Sequence, residues 1–445
     1  MTSPVVVIEL GEIRREPPEP TPEPSWSPAQ RRRVAGLVAA VALVTSLAAA
    51  TPLPRPLAET SIPAEPGDSV FGEGDRYYVI EGSHGRPPGT RTVAAYALPD
   101  ARALWRVPLM VDGAVRRVAA IRDGLLVSLH HDGQVIDAVE TVAIAADDGE
   151  PRWRRRARVE GVTPVRGNVV LWNAADGVPA AATGRETVAG VDPITAEVRW
   201  SYRVPMGGWL SYREVDGRPT HVVTLLPSGR VEVRDLEDGR LLAAADGLLP
   251  SREPATPTRY AQVAGDLLVV RADRRTVIAY GLARLDRRWE APVDSAIEDV
   301  SADCAPVLCV VSRSRGMRVL DPDTGGTRWT SGWWTDPRRA GAHLVVNQAG
   351  RRAGVDRLVV IDPDTGRPVG ELGDWTTLGA GDGRGQLLGV RVDHRTLRAW
   401  FAWLDPEHLS VRVVHVAAGV TGRCDAHAGA IICRRLDSSL GVWHL

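Results

Sequence analysis

Leu320-Asp321-Pro322-Asp323-Thr324-Gly325-Gly326-Thr327-Arg328-Trp329 holds the end of one strand, a tight turn and the start of the next strand. An apolar strand ends at Asp, whose carboxylate can accept hydrogen bonds from the turn's backbone. Pro presets φ for the following position, and Gly takes the left-handed conformation that closes a bulged hairpin. Trp then opens a strand that can pack on a neighbouring sheet. Ile361-Asp362-Pro363-Asp364-Thr365-Gly366-Arg367 repeats the pattern, and Val191-Asp192-Pro193 to Trp200 and Ile144-Ala145-Ala146-Asp147 to Trp153 are earlier copies. More worn copies lie at Leu98 to Trp105, Leu236 to Gly239, Gly281 to Trp289 and Leu404 to Glu407.

Ahead of each turn stands another strand, often introduced by a Gly/Asp or Gly/Asn pair, as in Gly74-Asp75, Asp123-Gly124, Gly167-Asn168 and Gly265-Asp266. Trp105, Trp153 and Trp200 follow one another at just under fifty residues, and Trp289 and Trp329 are forty apart. Four short strands fit that length, the size of a propeller blade. The form apolar-Asp-x-x-Thr-Gly-x-x-x-Trp resembles the pyrroloquinoline-quinone-like (PQQ-like) repeat of propeller quinoproteins and their non-enzymatic relatives. Among those relatives is the propeller lipoprotein of the outer-membrane β-barrel assembly machinery. The resemblance spans residues 68–445 and implies an all-β propeller of eight blades, with seven as the alternative. The strands at Ala430–Arg434 and Leu440–Trp443 are expected to close the ring against strands near residues 68–80, leaving no free sheet edge. Trp105, Asp147, Trp153, Asp192, Trp200, Trp289, Asp321, Gly325, Trp329, Asp362, Gly366 and Trp443 are read as structural positions of the repeat.

Gly (44) and Pro (33) are abundant, as many turns between short strands require. Charge is balanced, with 54 basic against 55 acidic residues, so no global field recruits nucleic acid. Every basic residue counted there is arginine. A Schiff-base lysine, a P-loop lysine and a Ser-Lys dyad are thereby excluded.

Residues 1–33 are rich in Pro and Glu and lack the apolar content for a core, so they read as a disordered cytoplasmic tail. Within them Val5–Ile13 has the composition of a strand that could add to a partner's sheet edge, or of an idle tail. Arg31, Arg32 and Arg33 then precede the uncharged run Val34–Ala50, closed by Pro52 and Pro54. Residues 34–52 are expected to form a transmembrane signal-anchor helix, with the arginines holding the N-terminus inside. The alternative is a signal peptide cleaved near Ala48-Ala49-Ala50. Either would export the rest of the chain, a Pro-rich linker over 53–67 and the propeller over 68–445.

Cys304, Cys309, Cys424 and Cys433 all fall on the exported side, an even count that reads as disulfides Cys304–Cys309 and Cys424–Cys433 in equivalent repeat positions. A zinc site is the rival, with His427 between one pair. His130-His131 reads as the end of a strand. Gly379-Ala380-Gly381-Asp382-Gly383-Arg384-Gly385 departs from GxGxxG at Arg384 and reads as a loop. Arg154-Arg155-Arg156 and Arg351-Arg352 are solvated clusters or, alternatively, patches for anionic glycan or phospholipid.

No HExxH, Gly-x-Ser-x-Gly or Walker sequence occurs. Quinoprotein enzymes of the resembled family carry adjacent cysteines, calcium and an Asp base, and no two cysteines here are adjacent. The expectation is therefore a monomeric, non-enzymatic module in the bacterial envelope, without catalytic, cofactor or metal residues. It would be tethered to the cytoplasmic membrane and would bind envelope protein, peptide or glycan. A cofactor-dependent oxidoreductase of the quinoprotein type is the alternative.

Overall fold

In the turn after Leu320 the Asp321 carboxylate accepts the Asp323 and Thr324 N–H groups, both at 3.0 Å, and the Gly325 N–H returns to the Asp321 carbonyl at 2.8 Å. Gly325 has φ +69°, the left-handed region that its lack of a Cβ permits. Asp192 and Asp362 bind their turns in the same way. This hairpin joins the third and fourth strands of a blade. The computed structural model describes residues 57–445 apart from 83–89, 111–113, 131–138, 175–184, 206–207, 216, 227, 249–260, 295–296, 302–303, 313–314, 349–356 and 379–384. The tail, the arginines Arg31, Arg32 and Arg33 and the apolar run lie outside the described residues. Among the described residues no helix is long and apolar enough to cross a membrane.

The described strands form nine four-stranded antiparallel sheets. Eight use consecutive strands, over residues 69–109, 114–155, 158–205, 209–245, 261–292, 298–331, 334–373 and 376–418, numbered here as blades 1 to 8. Blade 9 takes Val420–His427, Ala430–Arg435 and Leu440–His444 from the C-terminal end, and Glu59–Ile62 from far upstream as its outermost strand. First strands contact one another between blades 1 and 2, 2 and 3, 4 and 5, 5 and 6, 8 and 9, and 9 and 1, so they line the centre of a closed ring. Nine apolar clusters fill the nine junctions, one to each.

Nine blades replace the expected eight or seven. Division by an average blade length fails because blades 5 and 6 occupy only residues 261–292 and 298–331. The terminal strands also belong to a complete blade. Its partner is not a strand near 68–80 but Glu59–Ile62, within the stretch read as linker, in the register Glu59↔Trp443 to Ile62↔Leu440. Ile62 is fully buried there, and Arg434 donates to the Glu65 and Asp68 carbonyls at 3.2 Å. On the inner side His427 of blade 9 packs against Gly72 of blade 1, where a Cβ would come within 2.7 Å of the ring.

The tryptophans explain how blades adhere. Trp105, Trp153, Trp200, Trp289 and Trp329 stand on outermost strands, each eight residues after the first residue of its turn. Each donates its indole N–H across the junction to the second turn residue of the next blade. The acceptors are the carbonyls of Ala146, Pro193, Leu236, Pro322 and Pro363, at 2.6, 3.0, 3.1, 2.7 and 2.9 Å. The indole lies over the left-handed position of that turn. A Cβ on Gly149, Gly239, Gly325 or Gly366 would stand 2.5–2.9 Å from the rings of Trp105, Trp200, Trp289 and Trp329, respectively. The glycine thus takes the positive φ without strain and leaves room for the ring.

Three assignments of the repeat shift. In blade 2 the Gly149 N–H returns to Ala145, so Ala145 holds the place of Asp321, and Asp147 corresponds to Asp323. Trp443 is on the third strand of blade 9, fully buried against Phe401 at 5.2 Å between ring centres, and is not one of the junction tryptophans. The cysteines pair locally, with Cα–Cα distances of 5.9 Å for Cys304–Cys309 and 4.1 Å for Cys424–Cys433. Both pairs sit in the hairpin of the first two strands, yet their frames differ. Cys304 is in the connecting turn of blade 6, whereas Cys424 stands directly opposite Cys433 across the strands of blade 9.

Candidate functional site

Turns between strands one and two and turns between strands three and four open on the same face of the ring. At the junction of blades 3 and 4 that face is sealed. Residues 163–168 join the first two strands of blade 3, and Glu237, the third turn residue of blade 4, reaches over them. Its carboxylate accepts the Thr163 hydroxyl at 2.8 Å and the N–H groups of Val165 and Arg166 at 2.9 and 3.0 Å.

At the junction of blades 5 and 6 the same place is open. The corresponding turn in blade 5 is only Gly265-Asp266, between Ala264 and Leu267 paired directly across the hairpin. The residue in Glu237's place is Asp323, one methylene shorter. Neither side bridges the gap, and a cleft of about 470 Å³ remains. One wall is from the blade 5 turns, Gly265-Asp266 with Gly281 and Arg288; the other is Ala305 to Leu308 of blade 6. Pro322, whose carbonyl is engaged by Trp289, and Asp323 complete the lining.

Polar groups in the cleft are held in place. Asp266 pairs with Arg213 of blade 4 at 2.7 Å, and Arg288 pairs with Asp286 at 3.0 Å. The blade 6 wall is fixed from two sides. Cys304 and Cys309 bracket it, and Arg339 donates to the Ala305 carbonyl at 2.9 Å. The cleft offers carboxylates, a guanidinium and prolines on rigid turns. Such a set suits hydrogen bonding to an extended peptide or a sugar. Among the described residues no group of three or more His, Cys, Asp or Glu side chains is placed to hold a metal ion.

Of the residues singled out in the sequence, the structure brings Trp289 and Cys304–Cys309 to this cleft, the first beneath it and the second behind its wall. Asp192, Asp321, Asp362, Gly325 and Gly366 serve their turns. Asp321 has more than a turn to hold. Arg328 donates to it at 2.7 Å and, with the turn N–H groups, keeps its carboxyl down at about 2. Through a second nitrogen Arg328 reaches Asp364 of blade 7 at 2.6 Å. Sequence reading missed Asp266, Arg288 and Asp323. The one available signal was the shortness of the Gly265-Asp266 turn beside the longer turn at 163–168.

No curated protein matches the chain. Solved structures that resemble it include BamB from Moraxella catarrhalis, at 13% identity over 87% of this chain and 98% of that one, with a TM-score of 0.42. The dihydro-heme d1 dehydrogenase NirN aligns at 15% identity over 78% of this chain and 90% of its own, TM-score 0.40. The computationally designed protein Ika8 aligns at 15% over 75% and 96%, TM-score 0.43. A family model described as outer membrane protein assembly factor BamB matches residues 59–291, which is just over half of the sequence. That stretch runs from the closing strand through blade 5, and on its strength the chain belongs to the BamB-like family of PQQ-like repeat β-propellers.

Proposed function

We propose that this propeller is a binding or scaffolding module of the cell envelope, non-enzymatic and held outside the cytoplasm by an anchor at residues 34–52, with a protein or peptide as its partner. The observation that carries the reading is the match of residues 59–291 to a family described by an outer-membrane assembly factor. The cleft between blades 5 and 6 supports it, because rigid turns with paired charges bind an extended chain at little cost in ordering. The apolar run Val34–Ala50 behind Arg31, Arg32 and Arg33 supports the address. A glycan partner would use the same polar groups.

Site-specific photocrosslinking tests this. A crosslinking residue at Asp323, in the cleft, is compared with one at Ile194, which holds the same turn position on blade 3. The expected result is a discrete adduct with an envelope component from Asp323 and none from Ile194. Equal adducts at both positions, or none at either, would overturn the reading.

A further inference from the structure

The chain enters the propeller at its rim. Glu59–Ile62 is the outermost strand of blade 9, and just before it the Leu57 N–H donates to His415 Nδ1 at 3.3 Å. His415 lies on the outermost strand of blade 8, Ser410–Ala418. Between the apolar run that ends at Ala50 and Leu57 are six residues, three of them proline. Fully extended, six residues span at most about 20 Å.

The strand that meets the entering chain is unusual on its other face. Val411, Val413 and Val416 pair with Leu404, Ala402 and Trp400, all part of the apolar filling between blades 7 and 8. Residues paired across an antiparallel ladder share a face, so the three valines lie together on the side toward blade 7. They are nevertheless 39, 37 and 45% exposed, with Leu409 beside them at 38%. The outer strand of blade 7 has Gly370 where five other blades carry Trp, and Leu409 packs onto that glycine. A smaller exposed pair, Leu241 and Leu242, stands on the outer strand of blade 4, across the ring.

We propose that the valine face of blade 8 rests on the surface of the bilayer that holds residues 34–50. This rests on the anchored reading above, and it sets which side of the ring meets the lipid. Blade 8 is chosen over blade 4 because the described chain begins against it, at Leu57. The aliphatic face gives up water at the interface, and the hydrogen bond from Leu57 to His415 fixes the point at which the described chain enters, on blade 8.

The test uses the full chain reconstituted in vesicles of phosphatidylethanolamine and phosphatidylglycerol containing a lipid spin-labelled at its headgroup. A fluorophore is placed at Val413→Cys, with Val416→Cys as a second position and Leu242→Cys as the control. An alkaline wash first shows whether the chain is embedded. Retention with quenching several-fold greater at positions 413 and 416 than at 242 supports the proposal. Retention with equal quenching overturns it and leaves the anchor standing. Loss of the chain in the wash overturns both. Crosslinking of Val413→Cys to a second copy in detergent and vesicles alike assigns the face to self-association and overturns the lipid contact.

Discussion

The junction of blades 5 and 6 and that of blades 7 and 8 fill the same space in opposite ways. In the first, Trp289 comes from the leading blade and Gly325 from the turn it meets. In the second, the leading blade supplies Gly370 and the turn supplies Leu409, which adopts φ +51° to do so. The junction of blades 4 and 5 follows the second pattern, with Ala243 against Leu285 at φ +55°. Three of the remaining tryptophans at this position meet Gly149, Gly239 or Gly366, and Trp153 bonds the turn that carries Ala196, itself at φ +59°. Volume is conserved across the junction while its donor changes, as close packing demands. The left-handed conformation alone therefore does not dictate glycine, since Ala196 and Leu285 adopt it; at residue 325 the Trp289 ring, 2.6 Å from where a Cβ would stand, adds to the demand.

Removing the large partner should have the largest effect. Trp289→Ala deletes a side chain only 6% exposed and its hydrogen bond to Pro322, and is expected to cost about 3–5 kcal/mol in denaturant unfolding. Leu409→Ala at the other junction, already partly exposed, should cost about half as much. Equal losses would show that the two junctions are not alternative fillings of one space.

Next in size is overfilling. Gly325→Leu drives a side chain into the Trp289 ring and should destabilise by about 2–4 kcal/mol. Combined with Trp289→Ala it recreates the Ala243/Leu285 pair. The double variant is then expected to be at least about 1 kcal/mol more stable than the sum of its parts predicts. Strict additivity in that cycle would break the volume argument.

The smallest effect concerns charge. Arg328 joins Asp321 to Asp364 across the junction of blades 6 and 7, whereas Val369 stands at the corresponding place in blade 7. The Asp321 carboxyl is depressed to about 2, from an ordinary value near 4. Its contribution is complete above pH 4 and is lost as pH falls towards 2. Because Asp364 is largely exposed and Arg328 one-third exposed, solvent screens the bridge and less than about 1 kcal/mol is at stake. Acid titration of Asp321→Asn should flatten the unfolding midpoint in that window, and an unchanged profile would remove the bridge from consideration.

The repeat was legible because its chemistry is local. Asp321, Gly325 and Trp329 lie within ten residues, and each acts through its own turn or strand. What Trp329 touches is Gly366, and nothing in a single repeat says that the spacing must be read across two of them. The blade count was hidden for a similar reason. Glu59–Ile62 carries no turn motif and is completed by residues 440–444 at the other end of the chain, a pairing no local pattern reveals. The cleft escaped because it is made by what Gly265-Asp266 and Asp323 fail to reach. Absent side-chain length leaves little mark on a sequence.

The pairing of Glu59–Ile62 with Leu440–His444 also sets an order of events. In an exported chain the first strand of the fold reaches its destination first, and its only ladder partner arrives last. Until then Glu59–Ile62 lacks the strand it pairs with, and blade 1 lacks a neighbour on one side. On the proposed exported reading, the ring would be finished only when translocation is. A chain stopped a few residues short would leave the ring open, with the edge of Glu59–Ile62 unsatisfied.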